Sequence, residues 1–186
     1  MPTPPGACRP MTVGEIELCR PLFGDAIDYQ RVKIYNKKYL PFGIQGDNTA
    51  MAPNGGIYWP TNHFCEDFAL ASWHRQHWFM HEMTHVWQYQ RGFWLKLHGL
   101  FSWAVNYHYQ LTPCNSVSHY GMEQQACLFA DYWLLSRHGE EAWRRLTKAV
   151  ETLSERQEPL TVYRQIMAAY FVDKTDVCNL PRGRKL

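Results

Sequence analysis

Residues 81–85 read His-Glu-Met-Thr-His, a spacing with a specific chemical meaning. On an α-helix, positions i and i+4 lie on one face, so His81 and His85 can reach a single metal ion. Glu82 follows the first histidine by one residue, about 100° further round the helix, where it can face water held in the metal's open position. Two neutral imidazoles and a neighbouring carboxylate are the minimum set for zinc-assisted hydrolysis. The metal polarises the carbonyl under attack and the carboxylate takes the proton from the attacking water.

A catalytic zinc usually takes three protein ligands, so two histidines are not enough. The longer pattern HExxHxxGxxH is broken here. Gln88 stands where its glycine would be and Arg91 where its third histidine would be, so the third ligand must come from a separate element. Glu123 is the best candidate. It opens the run Glu123-Gln-Gln-Ala-Cys-Leu-Phe-Ala-Asp131-Tyr, which reads as a helix. A helix packed antiparallel to the metal helix would aim that carboxylate at the ion. The same residue suits a solvated glutamate favoured by the macrodipole at a helix N-terminus, and spacing alone leaves both readings open. Asp131 lies eight residues further on. It reads either as a carboxylate holding a ligand's second ring nitrogen, or as a surface aspartate or a helix-packing acceptor. His74 and His77 extend the histidine stripe upstream, but His77 is followed by Trp78 rather than by an acid, so they read as partly exposed or hydrogen-bonded side chains. Tyr109, His119 and Tyr120 are near Glu123 in sequence and are of the type that assists a developing oxyanion; nothing in the sequence selects among them. Trp87 sits off the ligand face and reads as core.

The elements that must position these residues follow from periodicity and punctuation. Thr12 to Phe23 reads as a helix, with a Thr12/Glu15 capping box and Gly24 as its stop. Arg31 to Tyr35 alternates polar and apolar, as a half-buried strand does. Pro53-Asn54-Gly55 between short apolar runs signals a hairpin, so a small antiparallel sheet is expected over 31–60. From about Phe68 the period becomes helical and runs through the histidine stripe to Gly92. Further helices are expected over 93–107, over 118–138 with Gly139 as a stop, and over 140–171 with a break near Glu158-Pro159. The expected fold is α+β, mainly helical, with the sheet preceding the metal helix. One domain spans 12–175, between a proline-rich, linker-like segment at 1–11 and a tail at 176–186.

Composition narrows the function. A formal charge of +2 is too small to argue for nucleic acid or an anionic membrane surface. No apolar run is long enough for a transmembrane helix, and the first residues lack the charged and apolar regions of a secretory signal. The chain is therefore expected to remain in the cytoplasm, to leave by another route, or to be part of a larger protein. None of the six cysteines forms a CxxC pair, which argues against a four-cysteine structural zinc site. Their even number permits disulfides in an oxidising compartment, while Cys127, in an apolar helical run, reads as a buried free thiol.

The run His81-Glu-Met-Thr-His-Val-Trp-Gln88, followed by Glu123-Gln-Gln-Ala, resembles the zinc metallopeptidase domains at the C-termini of VgrG-type spike proteins of the bacterial type VI secretion machine. Gly14-Glu-Ile-Glu, Phe23-Gly-Asp-Ala-Ile-Asp28 and Asn54-Gly-Gly-Ile-Tyr58 extend the likeness, which covers about residues 12–135. The resemblance implies a zincin-like fold with His81, His85 and Glu123 as Zn2+ ligands and Glu82 as general base. It also implies an antibacterial effector delivered by the spike apparatus, acting in the target cell's periplasm and matched by an immunity protein. The substrate would be a polypeptide or, with the same zinc chemistry, a peptidoglycan cross-link. An inactive zinc-fold binding module is the reading from another class; the intact Glu82 argues against it.

Overall fold

The computed structural model describes residues 2–41, 44–93, 106–150 and 157–182. The helix expected over 93–107 falls almost wholly outside the described residues. The fold is α+β, about half helical. Two compact units make up the chain, Met1–Leu100 and Phe101–Leu186.

The first unit is built on a three-stranded sheet of order β1-β2-β3, with β1 at Cys8–Pro10, β2 at Lys33–Tyr35 and β3 at Ile57–Tyr58. The sheet is mixed rather than antiparallel. Strands β1 and β2 pair antiparallel, Cys8 opposite Tyr35, whereas β2 and β3 pair parallel, Ile34 opposite Ile57. Two physical points explain the difference from the sequence reading. The Asn-Gly turn does fold the chain back, because Met51 and Tyr58 exchange backbone hydrogen bonds of 3.2 and 2.8 Å, but the pairing stops at that one bridge. The long connection after Tyr35 gives the chain room to return to the same end of the sheet, which a parallel pair requires. Strand β1 comes from the segment read as a linker, and β2 begins at Lys33 because Tyr29–Arg31 forms a 3-10 turn capped by Asp28.

Helix α1 (Val13–Phe23) starts as expected. Thr12 Oγ1 accepts from the Glu15 amide at 3.0 Å, and Glu15 Oε2 accepts from the Thr12 amide at 2.9 Å. The carboxylate of Glu15 does more than close this box. It is fully buried and also accepts from Arg9 Nη1 and Nη2 at 2.8 and 2.7 Å and from the Phe68 amide at 2.9 Å. One side chain thus joins β1, α1 and the 3-10 turn Phe68–Leu70. Arg9 Nη2 reaches on to the Cys65 carbonyl at 2.8 Å.

That turn leads into α2 (Trp73–Gln90), the helix that carries the histidines. Gln76 Nε2, one turn into α2, donates to the Ala69 carbonyl at 2.8 Å and ties the helix to the turn. Phe79, Met80, Met83, Val86 and Trp87 are buried, as are Leu22, Phe23, Ile34, Ile57, Trp59 and Phe68 elsewhere in the unit. The Phe68 and Phe79 rings stack at 4.9 Å, and Trp59 lies 4.4 Å from Phe68. Burying each such side chain contributes roughly 1.5–3 kcal/mol, so this face fixes the rotation of α2 about its axis. Gly55 sets the closeness of the Asn-Gly turn to the helix: a Cβ there would lie 2.8 Å from the Tyr89 ring, and its φ of 81° is one that L side chains rarely adopt.

The second unit contains α3 (Met122–Leu146), kinked at Gly139 where a stop is expected, then α4 (Pro159–Ile166) and α5 (Ala168–Val172). A helix does begin at Pro159, but the one expected from 140 up to that break ends at Leu146, and 151–156 lie outside the described residues. A two-stranded parallel sheet, β4 (Tyr109–Gln110) with β5 (Ala149–Val150), was not expected; two-residue strands leave no detectable alternation. Asp131 is the organising acid here. Its Oδ2 accepts from the Tyr109 hydroxyl at 2.7 Å, the Thr147 hydroxyl at 2.8 Å and the Lys148 amide at 3.1 Å, so it holds both short strands to α3. Among the described residues, no helix is long and apolar enough to cross a membrane. Among the described residues no cysteine is in a disulfide, and Cys127 is buried as expected.

Glu15→Ala strands the Arg9 guanidinium and is expected to cost about 3–5 kcal/mol, as removing one partner of a buried ion pair does. Glu140→Ala breaks only the exposed pair with Arg144 and should cost about 0.3–0.5 kcal/mol. Denaturant titration of the two variants should separate them clearly; equal midpoints would remove Glu15 from its organising role.

Candidate metal centre

His81 and His85 lie one turn apart on α2, and their Nε2 atoms are 3.3 Å from each other. The rings stand edge to face, 82° between planes. Tetrahedral zinc with Zn–N distances of 2.0–2.1 Å places two ligand nitrogens about 3.3 Å apart. The helix therefore presents both imidazoles at the separation that shared coordination needs.

Gln88 Oε1 lies 2.9 Å from His85 Nδ1. An amide oxygen only accepts, so this contact suits the tautomer with the proton on Nδ1 and the lone pair on Nε2. Both residues are buried, Gln88 completely. Glu82, on the same helix, is 3 % exposed. A carboxylate so enclosed, one residue along from His81, is of the right type to take a proton from water.

Glu123, the second residue of α3, is 9 % exposed. His81 and His85 in the first unit and Glu123 in the second each offer a ligand atom of a type that a metal ion takes. Two imidazole nitrogens and one carboxylate oxygen make a donor set suited to zinc, which binds nitrogen and oxygen ligands and needs only three from the protein for catalysis.

The two glutamines after Glu123 hold the start of α3. Gln124 Oε1 accepts from the Gly121 amide at 3.0 Å, while its Nε2 donates to the His108 carbonyl at 2.8 Å. Gln125, fully buried, donates to the carbonyls of Val117 and Asn179 at 2.8 and 2.9 Å. With its first turn pinned on both sides, α3 gives Glu123 a fixed origin. Sequence reasoning missed this use of Gln124 and Gln125, and missed Gln88. The available signal for Gln88 was its i+3 spacing from His85.

The other singled-out residues have different duties. Of its readings Asp131 takes the helix-packing one, and the acceptor for His85 is Gln88. The Tyr109 hydroxyl bonds Asp131 and Tyr163. Burial first, and the Asp131 charge second, push it well above the ordinary tyrosine value. The Tyr120 hydroxyl donates to the Gln110 carbonyl at 2.8 Å. His119 accepts from Arg182 Nη1 at 2.8 Å and has Nδ1 3.0 Å from Ser116 Oγ. All three expected oxyanion donors thus have engagements within their own unit. His74 is exposed and stacks on Trp73 at 3.5 Å; His77 is half-buried. Trp87 is fully buried, as expected of core. Burial raises the Cys127 thiol, with Asp131 and Glu123 adding to the effect, so it stays protonated.

No protein-family model matches the chain. Over 143 residues, 73 % of its length, it is 39 % identical to the type VI secretion system spike protein VgrG2b of Pseudomonas aeruginosa. It spans about 14 % of the length of that spike protein. The solved effector domain of Pseudomonas aeruginosa VgrG2b superposes with a TM-score of 0.64 at 37 % identity, covering 74 % of this chain and 80 % of that domain.

Purified protein is expected to hold about one zinc ion per chain, the single three-donor catalytic pattern. His81→Ala, His85→Ala and Glu123→Ala should each lower zinc content sharply, and Glu140→Ala should leave it unchanged. Metal analysis after dialysis reads the result; full zinc retention in the three ligand variants would remove the centre.

Proposed function

This chain belongs to the effector-domain family represented by VgrG2b, and we propose that it is a zinc-dependent peptidase of zincin type, carried by a type VI spike and active in the periplasm of a target bacterium. The observation that carries the enzymatic part is the 3.3 Å separation of the two Nε2 atoms on one helix, with Glu82 between them in sequence. His81, His85 and Glu123 are the proposed ligands and Glu82 the proposed general base. Bound zinc would supply a Lewis acid for the substrate carbonyl and lower the pKa of its water to about 7.

The chain's own residues do the rest. His81 and His85 arrive pre-oriented by α2, so little side-chain freedom is lost on coordination. Gln88 keeps the proton of His85 away from the ligand face. Glu82 accepts the proton of the attacking water and returns it to the leaving amine. Glu82 is only 3 % exposed, which limits competing solvent around that carboxylate. Family membership supports the delivery part: the relative is a spike protein of the type VI secretion system. The partners that follow are the secretion spike, a peptide-bond substrate and an immunity protein in the producing cell.

Expression in bacteria with and without an added periplasmic signal tests the proposal. The periplasm-directed wild type should arrest growth, while the cytoplasmic form should be tolerated. Glu82→Gln should retain zinc and fold yet lose toxicity, because it removes the base and not a ligand. Killing by Glu82→Gln equal to wild type would mean that hydrolysis is not the mode of action.

A further inference from the structure

We propose that Gln88 is the positioning residue of the metal centre: by accepting the Nδ1 proton of His85 it commits His85 Nε2 to the metal and locks the ring against rotation. This rests on the reading of His81, His85 and Glu123 as a zinc site. A histidine ligand has two equivalent-looking nitrogens, and which one coordinates is set by what the other one bonds. Here the partner is a neutral amide 2.9 Å away, on the same helix, three residues on.

The amide itself is held by the way α2 ends. The Phe93 amide donates to the Gln88 carbonyl at 2.9 Å and the Gly92 amide to the Tyr89 carbonyl at 2.9 Å. This is a Schellman arrangement, and it requires the left-handed conformation that Gly92 adopts at φ 90°. The helix therefore stops directly beyond the positioning residue, with the backbone of Gln88 fixed by the cap and its side chain fully buried. A carboxylate is a common partner for a ligand histidine. The amide fulfils the same geometric duty without adding a negative charge beside His85.

Two measurements test this. In wild-type protein labelled with 15N in its histidines, the imidazole spectrum of neutral His85 should show Nδ1 protonated, both without metal and with zinc. An Nε2-protonated His85 would overturn the proposal without any variant. Zinc affinity by chelator competition should fall about 10–100-fold in Gln88→Leu, the range seen when such outer partners are removed. Gln88→Glu, which keeps an acceptor oxygen at that place, should restore most of it. Equal affinities in wild type and Gln88→Leu, or an equal loss in both variants with unchanged thermal midpoints, would reduce Gln88 to packing. Failure of the wild type to bind zinc at all would instead remove the underlying metal reading, an outcome the labelled histidine spectrum distinguishes.

Discussion

A carboxylate taken out of water must collect donors or give up its charge. Each unit of this protein is assembled around one such group. Glu15 gathers the Arg9 guanidinium and the amides of Thr12 and Phe68, and in doing so brings together a strand, a helix and the turn that launches α2. Asp131 gathers two hydroxyls and an amide from the segments flanking β4 and β5. In both cases at least one donor is distant in sequence, Phe68 for Glu15 and Tyr109 for Asp131, so satisfying the acid and closing the unit are the same event. The apolar core supplies most of the free energy, but an oily face can slide, whereas a carboxylate with named donors cannot.

The residues of the candidate metal centre take their placement from these arrangements. The turn held by Glu15 fixes where α2 begins, Gln76 binds α2 back to that turn, and the stacked Phe68 and Phe79 rings fix its rotation. The helical repeat then sets the distance between His81 and His85 without further help. In the second unit Gln124 and Gln125 pin the first turn of α3 and with it Glu123. The chemistry-bearing residues are few, and most of the polar residues around them serve to place something else.

This division explains what was legible in the sequence. Features that depend on local spacing were readable: the placement of His81 and His85 on one face of a helix, the Thr12/Glu15 box and the Gly139 break all rest on neighbours within a few residues. Glu123 was readable as a good ligand type with two open roles, because its relation to the histidines is not local. Asp131 could be narrowed to a few roles and no further, since its partners, Tyr109, Thr147 and Lys148, lie 16 to 22 residues away. The sheet went wrong for the same reason. A turn signal predicts where the chain reverses but not which edge the next strand joins, and β3 joined β2 in parallel. Gln88 was missed because glutamine is an ordinary helix former, and nothing in its identity marks it as a histidine's partner.

The placement of both histidines well inside α2 has a dynamic consequence. Helices open from their ends, and terminal turns exchange amide hydrogens through small local openings. His81 and His85 occupy interior turns of an 18-residue helix, flanked by the buried Met80, Met83, Val86 and Trp87. Their backbone amides have no local route to solvent, so exposing them means dismantling the cooperative block to which the core of the first unit also belongs. The histidine pair therefore does not fray in advance of the unit. It persists at full geometry until that block opens, and is lost with it in one step.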